Sequence, residues 1–161
     1  MAQADYYLKV EGIDGESTDD KHKGTIEIES FSWGATNSTE SPGAGHGAGK
    51  VSMQDVHFTT HVSKASPKLM LACASGEHLK KAVLTCRKAG KDQQEYLKFT
   101  MSDVFVSSYQ VAGSGHGGVV PVDQFSLSFG KIETEYKAQK ADGTLDSPVK
   151  AGWDVAAHKK V

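Results

Sequence analysis

The sequence predicts a mainly β fold in which curled sheets form a barrel or a two-sheet sandwich, with one short helix and one long loop. Most of the chain alternates apolar and polar residues with the period of two that is typical of strands. In at least three stretches the alternation slips by one residue, which indicates a bulge or a sharp bend. Long bent strands of this kind close into a barrel or pack as two facing sheets.

Strand patterns occur along most of the chain. The predicted strands are Tyr6–Glu11, Thr25–Trp33, Val51–Val62, Leu79–Lys88, Glu95–Val111, Val122–Tyr136 and Val149–Val155. The apolar phase slips inside the second and third of these, and Gly130 interrupts the sixth. Polar, glycine-containing segments separate them and are predicted as loops, with a hairpin turn at 89–92.

One stretch, Ser66–Gly76, carries helix signals. Ser66 is suited to cap the first turn, Pro67 to the first helical position, and Gly76 to the left-handed residue just past the end. Between them, Leu69–Ala74 is apolar throughout, which is more than a single buried stripe requires. We therefore expect a sheet to cover this helix on one side and, in an assembly, a second subunit to cover another.

Composition indicates a single domain over residues 1–161 and excludes several classes of protein. Hydrophobic residues make up 38% of the chain and charged residues 24%, which is ordinary for a globular protein. A formal net charge of −2 argues against nucleic-acid binding, which needs clustered Lys and Arg to neutralise phosphates. No segment approaches the ~18 apolar residues of a membrane span. The first residues also lack the basic start and apolar middle of a secretory signal.

Two cysteines, Cys73 and Cys86, provide no disulfide framework, and we expect both to be buried free thiols. Reduced thiols and the missing signal segment predict a chain made in the cytoplasm.

The glycine-rich stretch Ser41–Lys50 superficially suggests a phosphate-binding loop. Ala44 stands where that motif needs glycine, Val51 stands where it needs Ser or Thr, and a strand follows instead of a helix. We interpret 34–50 instead as a long arm between two strands. A connection of this length in a compact domain is usually functional or disordered, and its small side chains suit contact with another surface.

Candidate metal and catalytic groups are isolated from one another. His57 and His61 share a strand face but lie roughly 13 Å apart at ~3.3 Å per residue, too far to share an ion. Ser114, His116 and Asp103 lack the motif that would activate a serine. We interpret the remaining acidic strand residues as a solvated or lumen-facing row: Glu27, Glu29, Glu133 and Glu135. No metal, cofactor or catalytic residue is predicted.

The chain closely resembles the Hcp family, the tube protein of bacterial type VI secretion systems. The residues that carry this resemblance run in order from end to end: Tyr7–Ser17, Ser32–Gly34, Gly49–Asp55, Ser66–Gly76, Leu84–Gly90, Gln139–Gly143 and Gly152–Trp153. The resemblance implies a β-barrel of two sheets flanked by one helix. It also implies a homo-hexameric ring with a wide channel and stacking of rings into a tube. A sheath would drive this tube out of the cell beneath a spike complex, carrying small effector proteins in the lumen. Export straight from the cytoplasm would explain the missing signal segment.

The resemblance also suggests contact residues. Contacts between rings are predicted for the arm, through Gly43, Gly45, Gly47, Gly49 and Lys50, and for the hairpin tip, through Ala89, Gly90, Lys91 and Asp92. The tail, with Trp153, Ala157 and His158, is predicted for the opposite face of the ring. Ser32 corresponds to the small lumen-facing position where relatives touch effectors.

Two other functions stay open at this stage. Trp33, Tyr109 and Trp153 could stack on sugars in a carbohydrate-binding β module, provided that they are exposed together. A hydrolase with an unrecognised site is a further alternative. A hexameric ring would favour the tube protein over both.

Overall fold

The chain folds into two packed sheets and a short helix, as described by a computed structural model for residues 4–38, 50–90, 92–117 and 120–161. The strands are β1 (Ala4–Val10), β2 (Ile26–Ile28), β3 (Ser30–Ser32), β4 (Ala35–Asn37), β5 (Val51–Met53), β6 (Val56–His61), β7 (Leu79–Lys88), β8 (Glu95–Ala112), β9 (Val122–Ser128), β10 (Lys131–Tyr136), β11 (Val149–Asp154) and β12 (Lys159–Lys160). The helix α1 spans Ala65–Ser75.

All described strand pairs are antiparallel. Sheet A has the order β12-β11-β10-β8-β7-β1-β2, and sheet B has the order β3-β6-β9-β8. The long strand β8 belongs to both, because residues 95–104 pair with β7 and β10 whereas residues 105–112 pair with β9. The mainly β prediction is confirmed.

The phase slips in the sequence mark the corners where the chain passes from one sheet to the other. Glu29 separates β2 in sheet A from β3 in sheet B, and its backbone N–H donates to the carbonyl of Thr59. At the second corner Asp103 has a left-handed φ of 50° and lies against Gly130. Within the described part of the chain the strands therefore wrap around the core as two sheets joined at corners, rather than as one evenly closed barrel sheet.

The core lies between the sheets and is completed by one face of α1. Phe58 and Phe125 stack at its centre with ring centroids 5.1 Å apart, and both side chains are buried. Ala65, Leu69 and Ala72 are the apolar helix residues that are fully covered. Both cysteines are free thiols, as predicted. Cys86 is buried, and burial raises the pKa of its thiol to about 12. Cys73 is only half-buried, so the prediction of a buried thiol holds for Cys86 alone.

The helix begins earlier than predicted. Ala65, not Pro67, is its first residue, and Ser66 lies inside the first turn instead of capping it. The Ser66 hydroxyl accepts from the backbone N–H of Ser63 at 3.0 Å and donates to the carboxylate of Asp123. Gly76 ends the helix in the left-handed conformation with φ of 67°, as predicted.

Candidate interaction surfaces

The base of the predicted arm is a two-stranded ribbon, β4 with β5, anchored to the core by Trp33. The indole N–H of Trp33 donates to the carbonyl of Gln54 at 2.9 Å, and its ring packs against Phe99 and Phe129. The backbone N–H of Ser38 donates to the backbone carbonyl of Lys50 at 3.3 Å, which closes the ribbon. The predicted arm residues Gly43, Gly45, Gly47 and Gly49 lie outside the described residues.

The predicted tail forms a tight turn beside the corner at Gly130. The Asp154 carboxylate accepts the backbone N–H of Ala157 at 2.9 Å, and His158 has a left-handed φ of 51°. Trp153 is half-buried opposite Ile132, and the backbone N–H of Val155 donates to the carbonyl of Gly130. The tail turn therefore lies beside the corner at Gly130. Phe129, the residue before this corner, packs against the ring of Trp33 at the base of the arm.

The predicted hairpin tip lies at the other end of sheet A. Ala89, Gly90 and Asp92 are exposed at the turn between β7 and β8, while Lys91 falls outside the described residues. From Glu95 to the corner at Asp103, β8 extends roughly 26 Å at ~3.3 Å per residue. The structure thus places the arm base together with the tail at one end and the tip at the opposite end, whereas the tail was predicted on the face opposite the arm.

Sheet B has two edges that pair with nothing in the described ranges. On one side β3 pairs only with β6, and on the other residues 105–112 of β8 pair only with β9. These edges, three residues long in β3 and residues 105–112 in β8, present unpaired backbone N–H and C=O groups to a further strand. A strand from another chain could therefore pair with sheet B at either edge.

Helix α1 packs against β8 and leaves apolar side chains exposed. Met70 is 51% exposed and Leu71 is 62% exposed, so the part of the apolar stretch that the fold itself covers is Leu69 and Ala72. The prediction that the chain's own sheet covers only part of this helix is confirmed.

Ser32 lies on the outward face of sheet B, in a cross-strand row with His57, Ser126 and Ser108, of which Ser126 is buried. The next row consists of Ser30, Thr59, Gln124 and Gln110. A third row consists of His61, Val122 and Ala112. These eleven residues are called the neutral face here, because none of them is Asp, Glu, Lys or Arg. The outward face of sheet A differs, since its rows include Glu133, Glu135, Lys98, Lys131 and Lys150.

Arg87 forms a buried cluster that fastens the segment 11–25 over sheet A. Its guanidinium donates to both carboxylate oxygens of Asp19, at 3.0 and 2.9 Å, and to the hydroxyl of Tyr7 at 2.8 Å. The Tyr7 ring stacks on His22 at 4.5 Å, and the imidazole of His22 meets the carboxylate of Glu95 at 2.6 Å. This cluster was not predicted, because alternation alone places Tyr7 and Arg87 on a solvent-facing side of their strands.

The Arg87 cluster makes acid sensitivity a testable property of the segment 11–25. Hydrogen bonding from Arg87 lowers the pKa of the Asp19 carboxyl. A carboxyl with a lowered pKa in the folded state stabilises the fold above its unfolded pKa of about 3.9, and this contribution is lost as the pH falls below it. We expect Asp19→Asn to lower the melting temperature at pH 7 and to have a progressively smaller effect from about pH 4 downward. An equal effect of the substitution at pH 7 and at pH 3 would contradict this.

The residues considered for metal binding and catalysis are not brought together. His57 and His61 both project from the neutral face, and His61 pairs with Glu29. Ser114 and His116 lie in the loop after β8, whereas Asp103 lies at the corner of that strand. In the described ranges no group of three His, Cys, Asp or Glu side chains is placed to hold a metal ion. None of the described helices is long and apolar enough to cross a membrane.

The three aromatic residues considered for sugar stacking do not share an exposed face. Trp33 packs on Phe99 and Phe129, and Trp153 is half-buried opposite Ile132. The Tyr109 hydroxyl donates to the buried carboxylate of Asp123 at 2.7 Å. This arrangement provides no common aromatic platform.

Comparison with known proteins identifies the family. The family described as "Type VI secretion system effector, Hcp" matches residues 7–136. The chain is 43% identical to Protein hcp1 of Pseudomonas aeruginosa over 154 residues, which cover 94% of each chain.

Solved structures agree with the sequence match. A structure of a type six secretion system protein superposes with a TM-score of 0.93 at 32% identity, covering 99% of this chain and 100% of that one. Hcp1 from Salmonella typhimurium superposes with a TM-score of 0.81 at 36% identity over the whole of both chains. Hcp proteins are structural, secreted components of type VI secretion and not enzymes. With more than three quarters of its length matched by the family, this chain belongs to the Hcp family of type VI secretion system proteins.

Proposed function

We propose that this chain forms homo-hexameric rings that stack into a secreted tube and carry small effector proteins in the lumen. The observation that carries the ring proposal is the pair of open edges on sheet B. A heterologous contact joins two different surfaces, and it closes into a ring when the rotation between copies is right. The edge at β8 residues 105–112 of one copy and the edge at β3 of the next supply such a pair.

The exposed helix side chains support the same contact. Helix α1, which carries the exposed side chains of Met70 and Leu71, packs against β8, the strand with the open edge. A neighbour that reaches the β8 edge would also cover these side chains. Burial of apolar surface at about 25 cal/mol per Å² would then add to the hydrogen bonds between the edges.

Stacking of rings is supported by the opposite placement of the predicted contact residues. The arm base and the turn around Ala157 and His158 lie at one end of the fold, and Ala89, Gly90 and Asp92 lie at the other. A head-to-tail stack would bring the arm of one ring to the hairpin tips of the next. Sheath and spike proteins of the secretion system would be the further partners of this tube, which would assemble in the bacterial cytoplasm before export.

The arm provides a test of stacking that leaves the ring contact intact. Deleting Pro42–Gly47 should leave rings that form normally and should weaken their stacking into tubes, because the ribbon base and sheet B are untouched. Sedimentation velocity of the deletion variant beside the unmodified chain measures both properties. Unchanged stacking would contradict a role of the arm between rings.

Ser32 provides a test of the effector-contacting face. It is exposed at the edge strand of sheet B, and the bulkier side chain of Ser32→Gln would project into the lumen of a ring. We expect the variant to form rings and to retain less co-purifying effector protein than the unmodified rings. Equal retention by rings of both kinds would remove Ser32 from the contact surface.

Electron microscopy of the purified chain tests the ring itself. Six copies of the 17.2-kDa chain should appear as rings with an open centre, and at higher concentration as short stacks. Monomers that persist at high concentration would overturn the proposal.

A further inference from the structure

A buried carboxylate links helix α1 to sheet B. Asp123 lies in β9, the strand that pairs with both β6 and β8, so its backbone is fixed within sheet B. Its side chain is 0% exposed, and none of the described ion pairs includes it. A carboxylate that is buried away from any cation loses its hydration, and hydrogen bonds must replace that hydration. The groups that donate to Asp123 therefore determine how its carboxylate is held.

Two hydroxyl groups from different elements donate to the Asp123 carboxylate. The Ser66 hydroxyl, in the first turn of α1, donates to one oxygen, and the Tyr109 hydroxyl, on β8, donates to the other at 2.7 Å. Burial and the hydrogen bond to Asp123 raise the pKa of Tyr109, so its hydroxyl keeps the proton that it donates. The three side chains form one continuous polar link from α1 through β9 to β8, called the Asp123 link here.

The Asp123 link also anchors the first turn of the helix. Lys64, at the N-cap position, makes no capping hydrogen bond with its side chain. The Ser66 hydroxyl instead accepts from the backbone N–H of Ser63 at 3.0 Å while it donates to Asp123. Hydrogen bonds depend on the direction between donor and acceptor, so this anchor fixes the orientation of the turn as well as its contact with the sheet.

Apolar packing by itself would define that orientation less well. Ala65, Leu69 and Ala72 bury the inner face of α1, but hydrophobic burial is non-directional. A buried polar group often stabilises a fold no more than an apolar group of similar size, and its best-attested use is to specify one geometry. The Asp123 link joins α1 to residues 105–112 of β8, which carry the open edge.

We propose that Asp123 is a positioning residue for the contact between copies, holding α1 at one orientation relative to the open edge of β8. This inference rests on the proposed ring. A neighbour that pairs with the edge would meet Met70 and Leu71 in one fixed place, so both parts of the contact would form together. Without the Asp123 link the helix would stay packed on the core, but its exposed side chains would have to be ordered on association.

The test breaks the Asp123 link at either end and measures association. Ser66→Ala removes the donor on the helix and should raise the dissociation constant of the contact between copies about tenfold. Tyr109→Phe removes the donor on β8 and should raise it about threefold or more, because Tyr109 acts on the helix only through Asp123. Sedimentation equilibrium over a dilution series measures both constants.

The double variant separates one link from two independent losses. Once Ser66→Ala has released the helix, the exact position of the Asp123 carboxylate no longer affects α1. Adding Tyr109→Phe should therefore leave the dissociation constant within about twofold of that of Ser66→Ala alone. Two unrelated effects would multiply instead.

Asp19→Asn is the control for a general loss of stability. It weakens the Arg87 cluster over sheet A and touches neither α1 nor the open edges. Nearly all copies of a marginally destabilised protein are still folded, so a lower stability alone does not change a constant measured between folded copies. Asp19→Asn should change the dissociation constant less than about twofold, while urea unfolding of dilute protein records the stability of every variant.

The outcomes distinguish this inference from the proposed function. An unchanged constant for Ser66→Ala or Tyr109→Phe, a rise no larger than that of Asp19→Asn, or a multiplied effect in the double variant would overturn the positioning role and leave the ring standing. If Ser66→Ala does not fold, Tyr109→Phe, which keeps the aromatic ring, decides by the same criterion against Asp19→Asn. Absence of rings from the unmodified chain would overturn the proposed function and the positioning role together.

Discussion

Replacing Leu71 with glutamate should abolish ring formation while leaving the monomer as stable as the unmodified chain. Leu71 is 62% exposed on α1, so its substitution removes little from the core of the single chain. In a ring the glutamate would be desolvated against a neighbour, and we expect the dissociation constant of the contact to rise by about tenfold to a hundredfold. Sedimentation velocity at matched concentrations measures the effect, and urea unfolding of the dilute protein measures the stability.

A control variant must add the same charge away from the proposed contact. Thr18 is exposed in the segment 11–25 over sheet A, so Thr18→Glu introduces one carboxylate without touching α1 or the open edges. Thr18→Glu rings should form as the unmodified chain does. If Leu71→Glu also formed rings normally, α1 would not belong to the contact between copies.

Gly15→Ala should destabilise the fold more than any other small substitution considered for this chain. A Cβ at Gly15 would lie 2.3 Å from the carbonyl oxygen of Thr25 and 2.8 Å from the Cα of Ile26. Both are backbone atoms at the start of β2, so relief requires the segment 11–25 to separate from the strand. We expect the free energy of unfolding to fall by about 3 kcal/mol or more.

Gly115 provides the matched control for this substitution. A Cβ there would have no atom within 4 Å, and its backbone is not in the left-handed region. Gly115→Ala should change the free energy of unfolding by about 0.5 kcal/mol or less. Urea denaturation measures both variants, and a midpoint for Gly15→Ala equal to that of Gly115→Ala would show that the close approach to Thr25 does not constrain the fold.

Much of the strand order could be predicted because period-two alternation depends only on neighbouring residues. The strand Leu79–Lys88 has the predicted bounds, and the break at Gly130 separates β9 from β10 as predicted. Alternation does not say which sheet a strand joins. The predicted strand 51–62 is therefore two strands, β5 in the arm ribbon and β6 in sheet B.

Features that depend on distant partners could not be predicted from local patterns. Ser66 resembles a helix cap, but its hydroxyl bonds to Asp123, which lies 57 residues away in the chain. Arg87 occupies an outward strand position and is nonetheless 3% exposed, because the segment that carries Asp19 folds over it. No short-range signal in the sequence reports either contact.

The candidate surfaces show the same limit. Ser32 could be singled out through the family resemblance, and it does lie outward on sheet B. The neutral face around it consists of residues from four strands, and only their register shows that Ser108, Ser126 and His57 form one row with it. The open edge of β8 likewise becomes visible only once β7 is seen to stop pairing at Val104.

Amide hydrogen exchange along β8 tests most directly whether each copy completes the sheet of the next. The comparison is between assembled protein and the Leu71→Glu monomer, read at residues 105–112. Amides in this stretch that do not pair with β9 should exchange rapidly in the monomer and slowly in the assembly. Equal, rapid exchange in both samples would contradict the account, because the edge would then remain open in the ring.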